Sequence, residues 1–521
     1  MYVQNSAKLN PTCVWDEGEL KRVAIVGLDG VNLKNALVLV NSFGARNLAR
    51  ILSKGFISES IAVPPYTPII WTSIFSGVNA GKHGIFGFMK IRRPKFPKLI
   101  LNTAWDVHYP RIFEILSLHN LKSIIANIPL TYPLDGVIRN ENLIMISDWA
   151  SPIQFIHPRD ICERYREHLK PPPHKWHQAT NVKKYVRIVQ NFLQHRLEMY
   201  YDLLNRTDIT LLAVIFSELD WLMHRIPRMI VGDGLNLVNK IVSLIDEFIG
   251  TLMEQFDLIV VVSDHGFRVC RRVLNVNSAL AEEGLYRYKL KLNFEKISRT
   301  LGNLTASLDG DAMSKMSRNI MRLMSDVLSS RVIKLFAGAL PDKAKSRLPI
   351  SIGHDLLTSK ALMIEPDSWS IHLLDKRKEI RLKIMNIFKN AEGVKLILFA
   401  SDVFWGSLIK FSPGLVLVPD DYTSFSTSIS RSTLEHKIIG DHHMKRMLLL
   451  YGDYVIKGRI NNEITTFDLA PTVLAYLNLP IPHDVDGKVL EEAFNISLNI
   501  RKVNYSSVYR TVKKCKLASY L

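Results

Sequence analysis

The stretch Leu258 to Phe267, LIVVVSDHGF, constrains the fold more than any other part of the chain. Five consecutive apolar residues, Leu258 to Val262, predict a strand that is buried on both faces, and such strands are typical of parallel sheets covered by helices. Ligands of these sheets bind beyond the carboxyl ends of the strands, where Asp264 and His265 follow here. Because an aspartate in this place is more often a helix cap or a turn residue than a metal ligand, the pair needs partners elsewhere in the chain.

Two further apolar strands are predicted to end in polar residues. Val23 to Val26 runs into the turn GLDG, which leaves Asp29 at the end of the strand. Thr210 to Ile215 is followed by Asp220 and His224, whose spacing would put both side chains on one face of a helix. The three strands together predict an α/β fold with charged groups collected beyond the strand ends.

The segment Pro64 to Phe88 carries a candidate nucleophile. Its prolines keep the chain extended, and a helix is predicted only from about Ile69 onward, which puts Thr72 near the helix start. A hydroxyl there would face free backbone N–H groups and the positive end of the helix dipole, an arrangement that suits attack on a phosphoryl group. A threonine at this position also fits a simple N-cap.

The composition indicates where such a protein works. No apolar run approaches the roughly 18 to 20 residues that span a bilayer, and the first residues lack the layout of a signal peptide, so the expected location is the cytoplasm. The four cysteines have neither disulfide-framework nor metal-ligand spacing, which fits a reducing compartment.

The formal net charge of +18 predicts an anionic partner, because a basic surface attracts anions over long distances. Aromatic residues do not alternate with the basic ones as in single-strand binders, so no stable nucleic-acid complex is expected. Peripheral membrane contact through the basic surface stays open, as does the oligomeric state. The same charges also fit a solvated surface.

The alternation of strand and helix patterns divides the chain into four parts. Residues 1–285 and 349–495 are predicted to form the two parts of a catalytic α/β core, and residues 41–55 have the pattern of one helix. Residues 286–348, which are basic and mostly helical in pattern, are predicted to be a cap or insertion. Residues 496–521 form a basic C-terminal tail whose composition is compatible with disorder.

The carboxylates and imidazoles form two candidate metal sets. The first consists of Asp29, Thr72, Asp264 and His265, and the second of Asp220, His224 and either His442 or His443. Each set mixes oxygen and nitrogen donors, a mixture that zinc and manganese prefer and calcium does not. Two such ions about 4 Å apart would stabilise both the attacking and the leaving oxygen of a displacement at phosphorus.

The order of the motifs strongly resembles that of the alkaline phosphatase superfamily. The motifs are the strand-end Asp29, a threonine in a PxxWTS segment, DxxxH, SDHG, GxH, DLAPT and DGKVL. Within the superfamily the match is to the type I phosphodiesterase / nucleotide pyrophosphatase family, in its archaeal and bacterial branch, and it covers the chain from Val23 to about Phe494. The resemblance implies an alkaline-phosphatase-like α/β fold with a largely parallel central sheet, flanking helices and a helical cap insertion.

The resemblance also implies a chemistry. Thr72 would be the nucleophile that forms a covalent phosphoryl-threonine, and the two sets would bind two divalent metal ions, Zn²⁺ or Mn²⁺. The family's G-x-H spacing favours His442 over His443 as a ligand. The expected activity is that of a metal-dependent phosphodiesterase or nucleotide pyrophosphatase acting on a small phosphorylated substrate, either a nucleotide or a phosphodiester. The alternatives are a phosphomonoesterase or phosphomutase on the same metal frame, or a catalytically inactive anion-binding protein.

Overall fold

The computed structural model has a large central sheet with helices on both faces. The residues that the structure describes are 21–92, 96–174, 181–231, 235–292, 350–461, 464–505, 509 and 511–513.

The strands are short, and most of those in the central sheet are buried. In chain order they are β1 (Val23–Leu28), β2 (Phe56–Ile61), β3 (Met89–Arg92), β4 (Lys98–Leu101), β5 (Ser123–Ala126), β6 (Leu143–Ile146), β7 (Ile156–His157), β8 (Leu211–Phe216), β9 (Leu258–Val262), β10 (Gly266–Asn275), β11 (Tyr288–Leu292), β12 (Ile350–His354), β13 (Ala361–Met363), β14 (Ser370–Leu373), β15 (Val394–Phe399), β16 (Leu415–Pro419), β17 (Thr423–Ser426), β18 (Leu434–His443), β19 (Lys445–Tyr451), β20 (Gly458–Asn461), β21 (Ile481–Pro482) and β22 (Lys502–Val503).

The helices vary more in length. They are α1 (Leu33–Phe43), α2 (Arg46–Lys54), α3 (Thr67–Ser76), α4 (Ala80–His83), α5 (Ile112–Leu118), α6 (Arg159–Arg164), α7 (Val182–Arg206), α8 (Glu218–Arg225), α9 (Leu235–Gln255), α10 (Val276–Glu282), α11 (Lys378–Lys389), α12 (Ala400–Val403) and α13 (Leu469–Tyr476). No helix in the described part of the chain is both long enough and apolar enough to cross a membrane.

The central sheet has nine strands in the order β20-β2-β19-β9-β1-β8-β5-β6-β7. The run from β9 through β1, β8 and β5 to β6 is parallel, whereas β19 is antiparallel to both of its neighbours. Alternate residues of β1 enter different cores: Val23 and Ile25 pack on one face of the sheet, and Ala24 and Val26 pack on the other. The fold predicted from the sequence, a largely parallel sheet flanked by helices, is confirmed.

The helix predicted over residues 41–55 is two helices. The first ends at Gly44, which adopts the left-handed conformation with φ of 73° and donates its N–H to Val40 and Leu39 carbonyl oxygens. The second helix then starts at Arg46. Glycine takes this conformation without a steric penalty, and it therefore ends α1 although the apolar pattern continues.

The chain leaves the central sheet between β9 and β19. A separate sheet has the order β13-β14-β16-β15, and β10 lies between β17 and β18 in a three-stranded sheet. The first residues of the predicted cap, in β11, pair antiparallel with β12. The rest of the cap predicted over residues 286–348 lies outside the described residues, so its helical character stays a prediction.

Part of the C-terminal tail is ordered. Strand β22 pairs in parallel with β21, and the side chains of Tyr505 and Tyr509 are buried. The Tyr509 hydroxyl lies 3.3 Å from the Glu114 carboxylate, and Lys513 donates to the carbonyl oxygen of Ala104 at 2.7 Å. This part of the tail is therefore packed on the core, in contrast to the disorder that its composition allows.

Candidate metal centre

Three neighbouring strands bring their polar ends together. In the sheet, β1 lies between β9 and β8, and their parallel register aligns Gly27 with both Val262 and Ile215. Asp29 follows β1, and Asp264 follows β9, so the two carboxylates emerge side by side. The polar residues predicted at the strand ends are therefore brought to one edge of the sheet, as expected for this fold.

Asp29, Asp264 and His265 form the first cluster. The Nε2 atom of His265 lies 3.5 Å from Oδ1 of Asp29 and 3.2 Å from Oδ2 of Asp264, and all three side chains are buried. The turn after β1 helps to hold them, because the N–H of Gly30 faces Oδ1 of Asp264 at 3.4 Å. Gly30 has φ of 77°, and a Cβ there would come within 3.2 Å of Oδ1 of Asp220 in the second cluster.

Asp220, His224 and His442 form the second cluster. Oδ1 of Asp220 lies 3.5 Å from Nε2 of His224 and 3.8 Å from Nε2 of His442, and the two Nε2 atoms are 3.3 Å apart. Asp220 and His224 share one face of α8, as their spacing predicts. His442 connects the clusters, because its ring stacks on that of His265 with 3.7 Å between the ring centroids.

The two candidate histidines of the GDHH segment have different surroundings. His442 belongs to the second cluster, opposite Phe267 in the register of β10 with β18. His443 instead accepts a hydrogen bond on Nδ1 from the backbone N–H of Lys445, 3.1 Å away. The choice of His442 over His443 therefore agrees with the geometry of the cluster.

The residues of both clusters fit divalent cations. In each cluster one ligand atom per residue lies within 4.8 Å of the others. One oxygen of each aspartate is buried without a hydrogen-bond donor: Oδ1 of Asp29, Oδ1 of Asp220 and Oδ2 of Asp264. A buried carboxylate oxygen without a donor is costly, and a cation among these oxygen and nitrogen donors satisfies it.

The histidines are oriented for ligation through Nε2. Nδ1 of His265 lies 3.0 Å from the carbonyl oxygen of Gly266, and Nδ1 of His442 lies 2.9 Å from that of Pro65. A backbone carbonyl oxygen accepts a hydrogen bond from Nδ1–H, and this tautomer leaves the Nε2 lone pair free in both rings. Both Nε2 atoms point into the clusters.

Burial controls the protonation of the clusters. It raises the pKa of Asp264 to about 7, with the charge of Asp220 as the next cause, and it raises the pKa of Asp29 and Asp220 well above the ordinary value. Burial also lowers the pKa of His224 to about 4 and that of His265 well below its ordinary value. Without a cation the site therefore favours neutral groups, whereas a bound cation favours ionised carboxylates.

The helix that carries the candidate nucleophile begins earlier than predicted. Helix α3 starts at Thr67, with Pro68 in its first turn, so Thr72 lies in the second turn and away from the free N–H groups. The Thr72 hydroxyl donates a hydrogen bond to the carbonyl oxygen of Pro68 at 2.6 Å, within its own helix. The expected position of Thr72 at the helix start is wrong, because proline is well tolerated in the first turn.

Thr67 occupies the position that was expected for Thr72. Its buried hydroxyl lies 3.4 Å from Nε2 of His265, at the edge of the first cluster and at the positive end of α3. The sequence analysis missed this residue. The available signal was Pro68 itself, because proline is enriched at the first helical positions and places the helix start at the preceding threonine.

Comparisons with known proteins agree with this architecture. The family model of type I phosphodiesterase / nucleotide pyrophosphatase matches residues 23–445. Murine ectonucleotide pyrophosphatase / phosphodiesterase 5, in an inactive form in complex with AMP, is similar with a TM-score of 0.50 and 13% identity, over 89% of this chain and 97% of that chain. Alkaline phosphatase PafA is similar with a TM-score of 0.55 and 14% identity, over 92% of this chain and 100% of that chain. A search of curated protein sequences gave no match.

The structural neighbours establish the fold, and the family model adds the class of protein. Its match covers most of the chain, from β1 through β18, and includes both clusters. The chain therefore belongs to the type I phosphodiesterase / nucleotide pyrophosphatase family, and it is a phosphoric ester hydrolase.

Proposed function

We propose that the protein is a two-metal phosphodiesterase of the nucleotide pyrophosphatase type, with Thr67 as its nucleophile. The observation that carries the proposal is the position of the Thr67 hydroxyl, 3.4 Å from His265 in a cluster whose aspartates hold buried oxygens without donors. The first metal would be held by Asp29, Thr67, Asp264 and His265, and the second by Asp220, His224 and His442. The donor types favour Zn²⁺ or Mn²⁺.

The chain's own residues account for the steps of a double displacement. Thr67 Oγ1 loses its proton to solvent and attacks phosphorus. A new P–O bond forms while the bond to the leaving oxygen breaks, and the leaving group takes a proton from solvent. Water then hydrolyses the phosphoryl-threonine, which restores the hydroxyl. The positive end of α3 faces the transferred group and favours its negative charge. Two divalent cations would lower the pKa of the attacking hydroxyl and neutralise charge on the phosphoryl oxygens.

The substrate class follows from charge and from the relatives. The net charge of +18 attracts anions, and the inactive form of murine ectonucleotide pyrophosphatase / phosphodiesterase 5 is in complex with AMP. We therefore expect a small phosphorylated substrate, either a nucleotide or a phosphodiester. A cytoplasmic location fits the two described cysteines, Cys162 and Cys270, which are both free.

A comparison of a diester with a monoester tests the proposal. We expect the protein to hydrolyse bis-p-nitrophenyl phosphate faster than p-nitrophenyl phosphate when Mn²⁺ or Zn²⁺ is present. A chelator should abolish the activity, and Asp220→Asn should lower both metal content and rate. Faster cleavage of the monoester would indicate a phosphomonoesterase instead. Binding of two metals per chain without cleavage of either ester would contradict the proposed hydrolase.

A further inference from the structure

A cavity lies between the β3-β4 hairpin and the four-stranded sheet β13-β14-β16-β15. Its volume is about 680 Å³, within the range of about 300 to 1,000 Å³ that is usual for small-molecule sites. Its walls include residues 89–92 of β3, His372 and Leu373 of β14, and Lys410 and Phe411 of the 3-10 helix Ile409–Phe411. No residue of the two metal clusters lines it, so it is a separate site.

The lining of this cavity is strongly basic. Lys90, Arg92, Lys376 and Lys410 all contribute to it. Asp106 is the one carboxylate among the described lining residues, and it pairs with Lys90. The cavity therefore keeps an excess of positive charge, which favours a ligand with more than one negative charge.

Apolar and neutral polar groups complete the walls. The Phe86 ring is buried, whereas that of Phe411 is 65% exposed and has the Lys410 ammonium 5.2 Å from its centroid. His108 also lines the cavity, and its pKa is lowered by burial and next by the charge of Lys513, so its neutral ring can donate or accept a hydrogen bond. A cavity with these walls fits an anion that carries an apolar group.

The cavity shares a wall with the segment that supports Thr67. Phe86 and Met89 line it, and Phe88 between them contacts Tyr66 edge to face with 5.7 Å between the ring centroids. Tyr66 directly precedes Thr67 at the start of α3. A ligand in the cavity would therefore contact the same segment that packs against the start of the catalytic helix.

We propose that this basic cavity binds a second phosphate-bearing ligand with an apolar part, at a site distinct from the metal clusters. Lysine and arginine side chains bind the phosphate through charge-assisted hydrogen bonds, and the phenylalanine rings contact the apolar part. The phosphate can belong to a soluble organic phosphate or to the headgroup of an anionic lipid. Binding here does not depend on hydrolysis at Thr67.

Calorimetric titration with phenyl phosphate tests the proposal. The Asp220→Asn protein serves as the background, because loss of that proposed ligand should weaken phosphate binding at the clusters. We expect it to bind one phenyl phosphate per chain in the cavity. Adding Lys376→Glu and Lys410→Glu should weaken this binding about tenfold or more, since two attractive charges become repulsive. Both side chains are exposed, so the protein should still fold.

The matched control makes the same change in net charge at two lysines outside the cavity. Lys183→Glu and Lys240→Glu lie on exposed positions of α7 and α9, away from the cavity, and should leave the affinity within about twofold. Vesicles of phosphatidylcholine with phosphatidic acid form the second arm, read by cosedimentation. If vesicle binding is weaker in the cavity variant than in its control, but phenyl phosphate binding does not differ between them, the phosphate source is a lipid headgroup. Equal losses in both double variants, or no binding of either probe to the background protein, would overturn the proposal.

Discussion

Thr67 and Thr72 are both buried in α3, but their hydroxyl groups face different surroundings. The Thr72 hydroxyl is bonded to the carbonyl oxygen of Pro68 inside the helix, whereas the Thr67 hydroxyl faces His265 at the first cluster. A threonine hydroxyl inside a helix can donate a hydrogen bond to a carbonyl oxygen of the preceding turn, as Thr72 does. A hydroxyl at the first turn is directed toward the helix's positive end, where anionic groups are stabilised. The role of nucleophile therefore passes from Thr72 to Thr67 in the proposed mechanism.

The positions of Asp29 and Asp264 at the strand ends could be predicted from the sequence. The position of Thr67 in the first turn of α3 could not. Asp29 and Asp264 follow apolar strands, and parallel strands of one sheet end at the same edge, so the strand pattern alone brings them together. The start of α3 depends on whether Pro68 ends the extended segment or opens the helix. The fixed φ of proline is compatible with an extended segment and with the first turn of a helix. Tertiary packing decides between the two at Pro68.

The raised pKa of Asp264 predicts how metal affinity depends on pH. At about pH 6 the carboxyl of the metal-free protein is mostly protonated and at about pH 8 it is mostly ionised, because its pKa is about 7. A cation must displace that proton at the lower pH, whereas His224, with a pKa of about 4, is neutral at both. We expect Mn²⁺ to bind about tenfold more weakly at the lower pH in a calorimetric titration. Equal or tighter binding at the lower pH would contradict this assignment.

At the level of elements, the pairing of β10 with β18 positions His442 in the second cluster. Its register sets Phe267 opposite His442, and a bulge between Cys270 and Arg272 shifts the register farther along the strand. The sequence indicates histidines near a strand, but the register that selects His442 depends on pairing between distant parts of the chain. Within the sequence, only the family's G-x-H spacing favours His442 over His443.

The packed part of the tail gives a second prediction. Tyr509 is 1% exposed, and its hydroxyl lies 3.3 Å from the Glu114 carboxylate, so Tyr509→Ala should leave a cavity and a weakened buried network. We expect the free energy of unfolding in urea to fall by about 3 kcal/mol. Tyr422→Ala, at a side chain that is 57% exposed, is the control and should change it by no more than about 0.5 kcal/mol. Equally small effects of both changes would show that the tail does not stabilise the core.

At the scale of the whole molecule, one edge of one sheet collects residues that are far apart in sequence. Asp264 follows β9, Asp29 follows β1, and Asp220 lies on α8 directly after β8. His442 comes from β18, outside the central sheet. The strand and helix patterns predicted this core. They did not predict that residues 361–419 form a separate four-stranded sheet, because short buried strands look alike whichever sheet they join. The basic cavity arises where that sheet meets the β3-β4 hairpin.

The most direct test of the central claim compares two single hydroxyl deletions in the same helix. Hydrolysis of bis-p-nitrophenyl phosphate is measured with saturating Mn²⁺ for the wild type, Thr67→Ala and Thr72→Ala, with bound metal quantified in each. We expect kcat to fall about 10³-fold or more in Thr67→Ala, because the attacking oxygen is removed, and to stay within about tenfold of the wild type in Thr72→Ala. Retained turnover in Thr67→Ala together with its loss in Thr72→Ala would contradict the account and return the nucleophile to Thr72.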